Sequence, residues 1–241
     1  QYYQQIQPYL EGLERATLDL MAHKGLGGTL KIGVVPTFAT RWLLPKLQTF
    51  NQLHPEIIIH LATSTKPFLF HDNMFDAAIY AGTPQQVQQW PGIQHHFLMP
   101  EDVVAVCSPS LIQDYFPNAQ PNLQGQYDLT AEQLTQLPLL QQTTRPSIWQ
   151  EWFHSAGILH PNAYDGQRHE LFSMLAVAAT HHMGMALIPQ MLLEKELKDG
   201  SLVIASQHQL HGSRSYYLIH ADGAASPLLA KFVQWLKTVV E

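Results

Sequence analysis

The sequence has 241 residues, enough for one large domain or two small ones with a well-buried core. Only 13% of the residues are charged, against about 25% in an average soluble domain, while glutamine occurs 25 times, so amides supply much of the polar surface. Thirteen Lys and Arg against nineteen Asp and Glu give a formal net charge of −6. This balance excludes a general electrostatic affinity for nucleic acid or anionic membranes.

Cysteine content and the first residues bear on the compartment. The single Cys107 excludes an internal disulfide, and no CxxC pair is present for a structural zinc or a redox centre. The first twenty residues lack the basic start and apolar core of a signal peptide, and no run approaches 18 uninterrupted apolar residues. We therefore expect a cytoplasmic protein without membrane contact. The first residue is Gln rather than Met, which is compatible with a native start further upstream.

Helical periodicity appears in several segments in chain order. Apolar residues recur at three- and four-residue intervals over 6–21, which predicts a helix that ends at the glycines of 25–28. A second helix is expected from Thr37, as its N-cap, to His54, with Pro45 in its first turns or at a kink. Capping boxes at 130–133 and 147–150 predict the starts of two further helices. Two more are predicted over 171–184 and 191–200, and a last helix is expected to start at Ser226-Pro227.

Short apolar runs alternate with these helices. They predict strands at 30–35, 57–62, 77–81, 102–108, 137–142, 185–189, 202–206 and 215–221. The segment from Pro109 to Gln126, rich in Pro, Asn and Gln, is expected to be a loop. Alternating strands and helices indicate an α/β fold built on parallel strands, about nine in total.

Signatures of catalysis and metal binding are absent from the sequence. We find no GxSxG, HExxH, GxxxxGK[ST] or GxGxxG between a strand and a helix, and we can name no nucleophile and base pair. The adjacent pairs His95-His96 and His181-His182 do not share a face of a strand or helix, so we expect no metal site. The pair Glu101-Asp102 is expected to be solvated. The sequence therefore predicts a protein that is not an enzyme and needs no cofactor.

Polar segments at strand ends instead favour a binding protein. Three expected strands run into hydroxyl-rich segments at 36–38, 63–65 and 143–145, and we expect these to lie at one sheet edge. Ligands of open α/β sheets bind at the carboxyl ends of strands, where hydroxyls and unpaired helix N–H groups converge. The alternative is that each hydroxyl is only a helix cap. Together the clusters predict a site for a small polar or anionic molecule.

One long motif carries a family likeness. The stretch GTLKIGVVPTFATRWLLPKLQTF (28–50) resembles the start of the effector-binding domain of LysR-type transcriptional regulators, closest to the branch of glycine-cleavage and β-lactamase-inducing regulators. Markers at similar intervals follow in the same order at 75–82, 90–92, 106–109, 149–152 and 183–189. The likeness covers about residues 28–240.

The resemblance implies a fold like the type 2 periplasmic binding proteins, with two Rossmann-like lobes joined by two crossover strands. Lobe I would comprise 28–103 and 214–241, and lobe II would comprise 104–213 with the hinge strands. Residues 1–27 would be the end of a linker helix. The winged helix-turn-helix domain that contacts DNA in the family is absent from these 241 residues.

The resemblance also implies an effector pocket between the lobes. The residues that match the family's pocket are Thr37, Phe38, Thr63, Ser64, Thr143, Thr144, Phe172, Ser173 and Tyr216. Many relatives carry Arg where this chain has Tyr80, which puts an anionic effector in doubt unless Arg145 points inward and substitutes.

Two functions from different classes remain open at this point. The first is an effector-sensing module of a transcriptional regulator, forming a homo-dimer or homo-tetramer and contacting DNA only through the missing domain. The alternative is a periplasmic solute-binding protein of a transporter, which uses the same fold, is exported and is monomeric.

Overall fold

The computed structural model describes residue 17 and residues 28–65, 75–223 and 226–240. The helix expected over 6–21 and its glycine terminator therefore lie outside the described residues, except for Thr17, which is helical.

Ten strands of the described residues form two five-stranded sheets. The first sheet has the order β2-β1-β3-β10-β4 and consists of β1 (Gly28–Val34), β2 (Ile57–Thr63), β3 (Ala77–Gly82), β4 (Ile93–Pro100) and β10 (Ser215–Ala221). The second has the order β7-β6-β8-β5-β9 and consists of β5 (Val103–Cys107), β6 (Leu139–Gln142), β7 (Gln167–His169), β8 (Met185–Pro189) and β9 (Val203–Leu210). We call the two halves lobe I and lobe II.

Each sheet mixes parallel and antiparallel pairs. In lobe I, β1 is parallel to β2 and β3, whereas β10 is antiparallel to β3 and β4. In lobe II, β6 is parallel to β7 and β8, and β5 is antiparallel to β8 and β9. The chain crosses between the sheets at residues 101–102 and again at 211–214. The expected architecture of two α/β lobes joined by two crossings is confirmed, although the sheets are not purely parallel.

The helical segment after β1 is continuous but irregular. It comprises α1 (Pro36–Phe38), a π-helical turn (Ala39–Leu43) and α2 (Leu44–Leu53). The wide turn precedes Pro45, which has no N–H to donate to the preceding turn. The expectation that Thr37 caps this helix is wrong, because Pro36 occupies the first helical position and Val35 becomes the N-cap without a side-chain bond.

The other described helices have fewer than ten residues each, except the last one. They are α3 (Pro84–Gln88), α4 (Pro109–Tyr115), α5 (Ala131–Leu134), α6 (Ile148–Ser155), α7 (Phe172–Thr180), a 3₁₀ turn (Gln190–Leu192), α8 (Glu194–Asp199) and α9 (Pro227–Val240). The loop expected over 109–126 is thus partly wrong, since Pro109 opens α4 in the first helical position.

The observed helix ends can be compared with the capping and termination signals of the sequence. The capping box at Thr130 and Gln133 is confirmed, with bonds of 2.9 and 3.3 Å in the two directions. The box expected at 147–150 is wrong, because the Ser147 hydroxyl donates to the Glu151 carboxylate instead of accepting from the backbone. The expected end of the helix at Gly184 is also wrong, since α7 stops at Thr180.

The buried core extends across both lobes. One apolar cluster joins lobe I residues such as Phe50 and Phe232 to lobe II residues such as Leu175 and Ile188. A second cluster belongs to lobe II and is built on the aromatic side chains of α6. Each buried Phe or Leu contributes about 1.5–3 kcal/mol relative to an exposed one, so shared burial holds the lobes together.

Candidate functional site

A cavity of about 240 Å³ lies between the lobes. Its walls come from the segment after β1, from α7 and from both crossings. Five of the nine residues expected for the pocket line it: Thr37, Phe38, Thr144, Phe172 and Tyr216. The hydroxyl-rich segments do not share one sheet edge as expected, because β1 and β2 belong to lobe I and β6 to lobe II. They approach the cavity from opposite sides instead.

The other four expected residues do not line this cavity. Thr63 is exposed on the edge strand β2, and Thr65, two residues further on, lines the cavity in place of Thr63 and Ser64. Thr143 is exposed, and its hydroxyl donates to the His169 carbonyl at 3.4 Å. The fourth residue, Ser173, is bonded to Thr37.

The Thr37 hydroxyl links lobe I to lobe II at the rim of the cavity. Its oxygen accepts a hydrogen bond from the Ser173 amide at 3.1 Å and donates to the Ser173 hydroxyl at 3.3 Å. Ser173 is the second residue of α7, and the N-cap Leu171 supplies no side-chain acceptor. Thr37 therefore satisfies an unpaired donor at a helix start in the other lobe.

Aromatic rings form one wall of the cavity. Phe38 stacks on Tyr216 with ring centroids 4.6 Å apart and on Trp42 at 4.7 Å, both at 29° between planes. On the opposite side, the Arg145 guanidinium lies over the Phe172 ring at 6.0 Å. Aromatic rings therefore line the cavity from both lobes.

A buried charge cluster closes the cavity at the crossings. Glu101 in the first crossing forms a bidentate pair with Arg145, at 2.6 and 2.9 Å. The expectation that Glu101 is solvated is wrong, because only 4% of the residue is exposed. Burial acts to lower the pKa of Arg145, but the Glu101 carboxylate outweighs it and the pKa is raised. Arg145 therefore does point inward, but it is already paired within the protein.

Arg214 in the second crossing has one donor without a hydrogen-bond partner in the described part of the chain. One of its terminal N–H groups donates to the Ala81 carbonyl at 2.5 Å, while its Nε lies 3.7 Å from the Glu101 carboxylate. This Nε is buried and has no hydrogen-bond partner among the described residues. Burial and the neighbouring Arg145 lower the pKa of Arg214. Two guanidinium groups therefore face one buried carboxylate, while the second carboxylate that lines the cavity belongs to the exposed Glu170.

The hydroxyl of Tyr216 lies on the same cluster. Burial raises the pKa of Tyr216 well above its usual range, and the Glu101 carboxylate adds to the shift. Tyr80 also lines the cavity, at the position where sequence reasoning noted the missing arginine. Tyr216 is therefore a neutral polar group beside the two arginines.

Comparison with known proteins now decides the family. Residues 23–241 match the LysR substrate binding domain family. The chain belongs to this family. The LysR domain is 29% identical over 237 residues to the glycine cleavage system transcriptional activator of Escherichia coli K12, spanning 98% of the chain and 72% of that protein. It is 28% identical over 207 residues to the transcriptional activator AmpR of Rhodobacter capsulatus, spanning 86% of the chain and 65% of that protein.

Solved structures share the fold of the LysR domain. The effector-binding domain of AmpR from Citrobacter freundii superimposes with a TM-score of 0.74 at 24% identity, covering 88% of this chain and 98% of that one. The full-length virulence activator AphB of Vibrio cholerae gives a TM-score of 0.67 at 18% identity, covering all of this chain and 78% of that one. The likeness confirms the expected fold of the type 2 periplasmic binding protein kind. These matches give no support to the transporter alternative.

A second polar bridge joins the lobes of the LysR domain outside the cavity. Arg41, in the π-helical turn, binds both carboxylate oxygens of Glu196 at 2.7 and 2.8 Å and the Leu192 carbonyl at 3.0 Å. Sequence reasoning did not single out Arg41 or Glu196. The π-helical turn that presents Arg41 has no clear sequence signal beyond the nearby Pro45.

A serine, a histidine and an aspartate lie close together in the LysR domain, although the sequence allowed no such group to be named. His182 Nδ1 lies 2.9 Å from the Ser110 hydroxyl, and its Nε2 lies 2.9 Å from Asp114. The Asp114 side chain is 63% exposed, so water screens the pair. His182 has a left-handed backbone, with φ of 65°. We interpret these bonds as an anchor that ties the turn after α7 to α4.

Proposed function

We propose that this chain, as the effector-binding domain of a LysR-type regulator, binds a small molecule with one negatively charged group in the cleft between its lobes. The observation that carries the proposal is the guanidinium of Arg214, which lines the cavity and whose Nε has no hydrogen-bond partner among the described residues. A carboxylate or phosphate is the group that pairs best with a guanidinium, through charge attraction and charge-assisted hydrogen bonds. Arg145 adds positive charge to this part of the cavity, although two of its N–H groups already donate to Glu101.

The rest of the cavity sets the ligand's remaining chemistry. Phe38 and Tyr216 line the cavity as a stacked and buried aromatic pair, and Phe172 lines it from lobe II. A volume of about 240 Å³ accommodates a metabolite rather than a polymer. We therefore propose a ligand with an acidic head and a flat or apolar body.

Ligand binding is coupled to lobe geometry in this proposal. The cluster of Glu101, Arg145 and Arg214 joins both crossings to lobe II, and the Glu101 amide donates to the Arg214 carbonyl at 3.0 Å. A ligand shifts the balance between lobe arrangements only by its preference for one of them. An anion that engages Arg214 and the lobe II wall together favours the closed arrangement.

A metabolite screen tests the proposal. Thermal shift of the chain is measured with matched pairs of acids and their neutral amides or esters, and calorimetry follows each hit. We expect acids to stabilise the chain and their neutral partners to have no effect. Arg214→Gln should weaken binding by about 1.5–3 kcal/mol, because it removes a charged hydrogen bond. The control Arg168→Gln changes an exposed arginine on β7 and should leave affinity unchanged.

Two outcomes contradict the ligand chemistry. Hits that are neutral, or acids that bind Arg214→Gln as tightly as the original chain, show that the charge cluster does not contact the ligand.

Assembly and DNA contact complete the proposed function. We propose a homo-dimer or homo-tetramer, supported by the exposed side chains of Ile58 on the edge strand β2 and of Met174 and Val177 on α7. DNA contact is proposed to lie in another domain of a longer cytoplasmic regulator, because this chain is acidic and spans 72% of the E. coli activator. Sedimentation of the chain tests its self-association; a monomer at micromolar concentration contradicts the proposed assembly.

A further inference from the structure

Two histidines outside the cleft face each other across neighbouring strands of lobe I. The Nε2 atoms of His96 on β4 and His220 on β10 are 3.2 Å apart. In the register of the two strands His96 lies opposite Leu218, so His220 is its diagonal neighbour on the same face of the sheet. The sequence gives no local signal for this pair, because 124 residues separate its members.

The protonation state of His220 follows from its second nitrogen. Its Nδ1 lies 3.0 Å from the Ala221 carbonyl, which can only accept a hydrogen bond, so Nδ1 carries the proton. In the neutral ring, Nε2 then presents a lone pair towards His96. Histidines that ligate metals commonly donate their other ring N–H to a backbone carbonyl in this way, which fixes the ring.

The pair opens into a groove between β4 and the last helix. The groove has a volume of about 370 Å³. Its lining consists of the two histidines and one side of α9: His96, His220, Leu229, Ala230, Val233, Gln234 and Lys237. His220 is buried and His96 is partly exposed, so one imidazole is held rigidly while the other is accessible from solvent.

We propose that His96 and His220 bind one divalent transition-metal ion of the borderline class, such as Zn²⁺, through their Nε2 atoms. Zinc–nitrogen distances of about 2.0–2.1 Å place two tetrahedral ligands about 3.3 Å apart, close to the separation observed. Imidazole suits zinc, copper and nickel rather than magnesium or calcium. Water completes the coordination in the groove. No group of three or more His, Cys, Asp or Glu in the described part of the chain is placed to hold a metal, so affinity is lower than in four-ligand sites.

A metal at this position would reinforce one weak part of lobe I. β4 is an edge strand, and its neighbour in the sheet is β10. An ion shared by both strands crosslinks them beside α9. The site lies outside the cleft and does not depend on the proposed ligand of the cleft.

Zinc titration of the 241-residue chain tests the proposal. Calorimetry with ZnCl₂ at neutral pH is compared for the original chain, His96→Gln and His95→Gln. His95 is the matched control, because it is the next residue on β4 but its ring lies 6.2 Å from that of Tyr217 on the other face. We expect one saturable ion per chain, lost or weakened at least about tenfold in His96→Gln and unchanged in His95→Gln.

Replacement of Lys237 tests the proposal in the other direction, since it should strengthen zinc binding. Its ammonium group lines the groove and repels a cation bound there, so Lys237→Met should bind zinc more tightly. Binding should weaken in acidic solution, because protonated imidazole cannot ligate a metal.

The 15N NMR signals of the two imidazole rings report metal coordination directly. On addition of Zn²⁺, the Nε2 signals of His96 and His220 should shift together while those of His95 stay in place. This measurement needs no replacement of the buried His220. The proposal is overturned if no saturable 1:1 binding occurs, if His96→Gln binds like the original chain, or if the shifts fall on other histidines.

Discussion

The hydroxyl oxygen of Thr37 accepts a hydrogen bond from the backbone amide of Ser173 at 3.1 Å, across 136 residues of sequence and from one lobe to the other. Sequence reasoning assigned Thr37 to the start of its own helix. The structure shows that the same chemistry serves a different helix, α7, whose first turn would otherwise lack this acceptor. A cap supplied from the other lobe couples helix stability to lobe closure.

Thr37→Val tests this coupling. The substitution keeps the shape of the side chain but removes the acceptor for the Ser173 amide, so we expect the free energy of unfolding to fall by about 1 kcal/mol. Thr37→Ser retains the hydroxyl and should behave like the original chain. An unchanged urea midpoint in Thr37→Val would show that the bond contributes nothing.

Glu101→Gln should be among the most damaging polar substitutions. It leaves the partly buried Arg145 and Arg214 near each other without the carboxylate between them, at a cost of about 3 kcal/mol. Chemical denaturation measures the loss. The neighbouring Asp102→Asn removes a charge on a more exposed side chain and should change stability by no more than about 0.5 kcal/mol. Equal effects of the two substitutions would contradict the assigned role of Glu101.

The Arg41–Glu196 pair should contribute to closure of the lobes. A double-mutant cycle with Arg41→Met and Glu196→Gln is expected to give a coupling energy of about 1 kcal/mol, reduced by solvent because both side chains are partly exposed. The control cycle uses Lys231 and Glu56, an exposed pair within lobe I, and should give a much smaller coupling. If the coupling energy between Arg41 and Glu196 is no larger than that of the control pair, this ion pair does not stabilise the contact between the lobes.

Cys107 predicts a pH dependence of stability at high pH. Burial raises the pKa of its thiol from 9.0 to about 12. Between these values the unfolded chain has lost the proton while the native chain keeps it, so stability falls as the pH rises through this window. Denaturant midpoints between pH 8 and 11 should therefore decline less steeply for Cys107→Ala. Native Cys107 should also resist thiol reagents at pH 8, and rapid labelling would contradict its burial.

Local signals were sufficient wherever a bond joins near neighbours in sequence. The capping box of Thr130 and the cap by Ser226, whose hydroxyl accepts from the Leu229 amide at 3.1 Å, both follow from residues three apart. The apolar strands were predictable for the same reason. β4 was missed because its sequence IQHHFLMP has no clear alternation, and its pairing depends on β10.

The site was less predictable because its key contacts are long-range. Glu101 is expected to be solvated until Arg145 and Arg214 are brought to it by the crossings. The family resemblance identified Thr37, Phe38 and Tyr216 as pocket residues, and they line the cavity. It did not indicate that Thr63, on the outer strand of the sheet, would face solvent.

The position of β10 between β3 and β4 has a consequence for synthesis of the chain. Lobe II is contiguous in sequence and can fold as soon as β9 leaves the ribosome. Lobe I still lacks an inner strand at that moment, and β4 has no neighbour in the sheet described. More than a hundred residues separate the end of β4 from β10, the strand that completes the sheet of lobe I. We therefore expect lobe II to fold first during synthesis. Lobe I should be the part that depends most on chaperones.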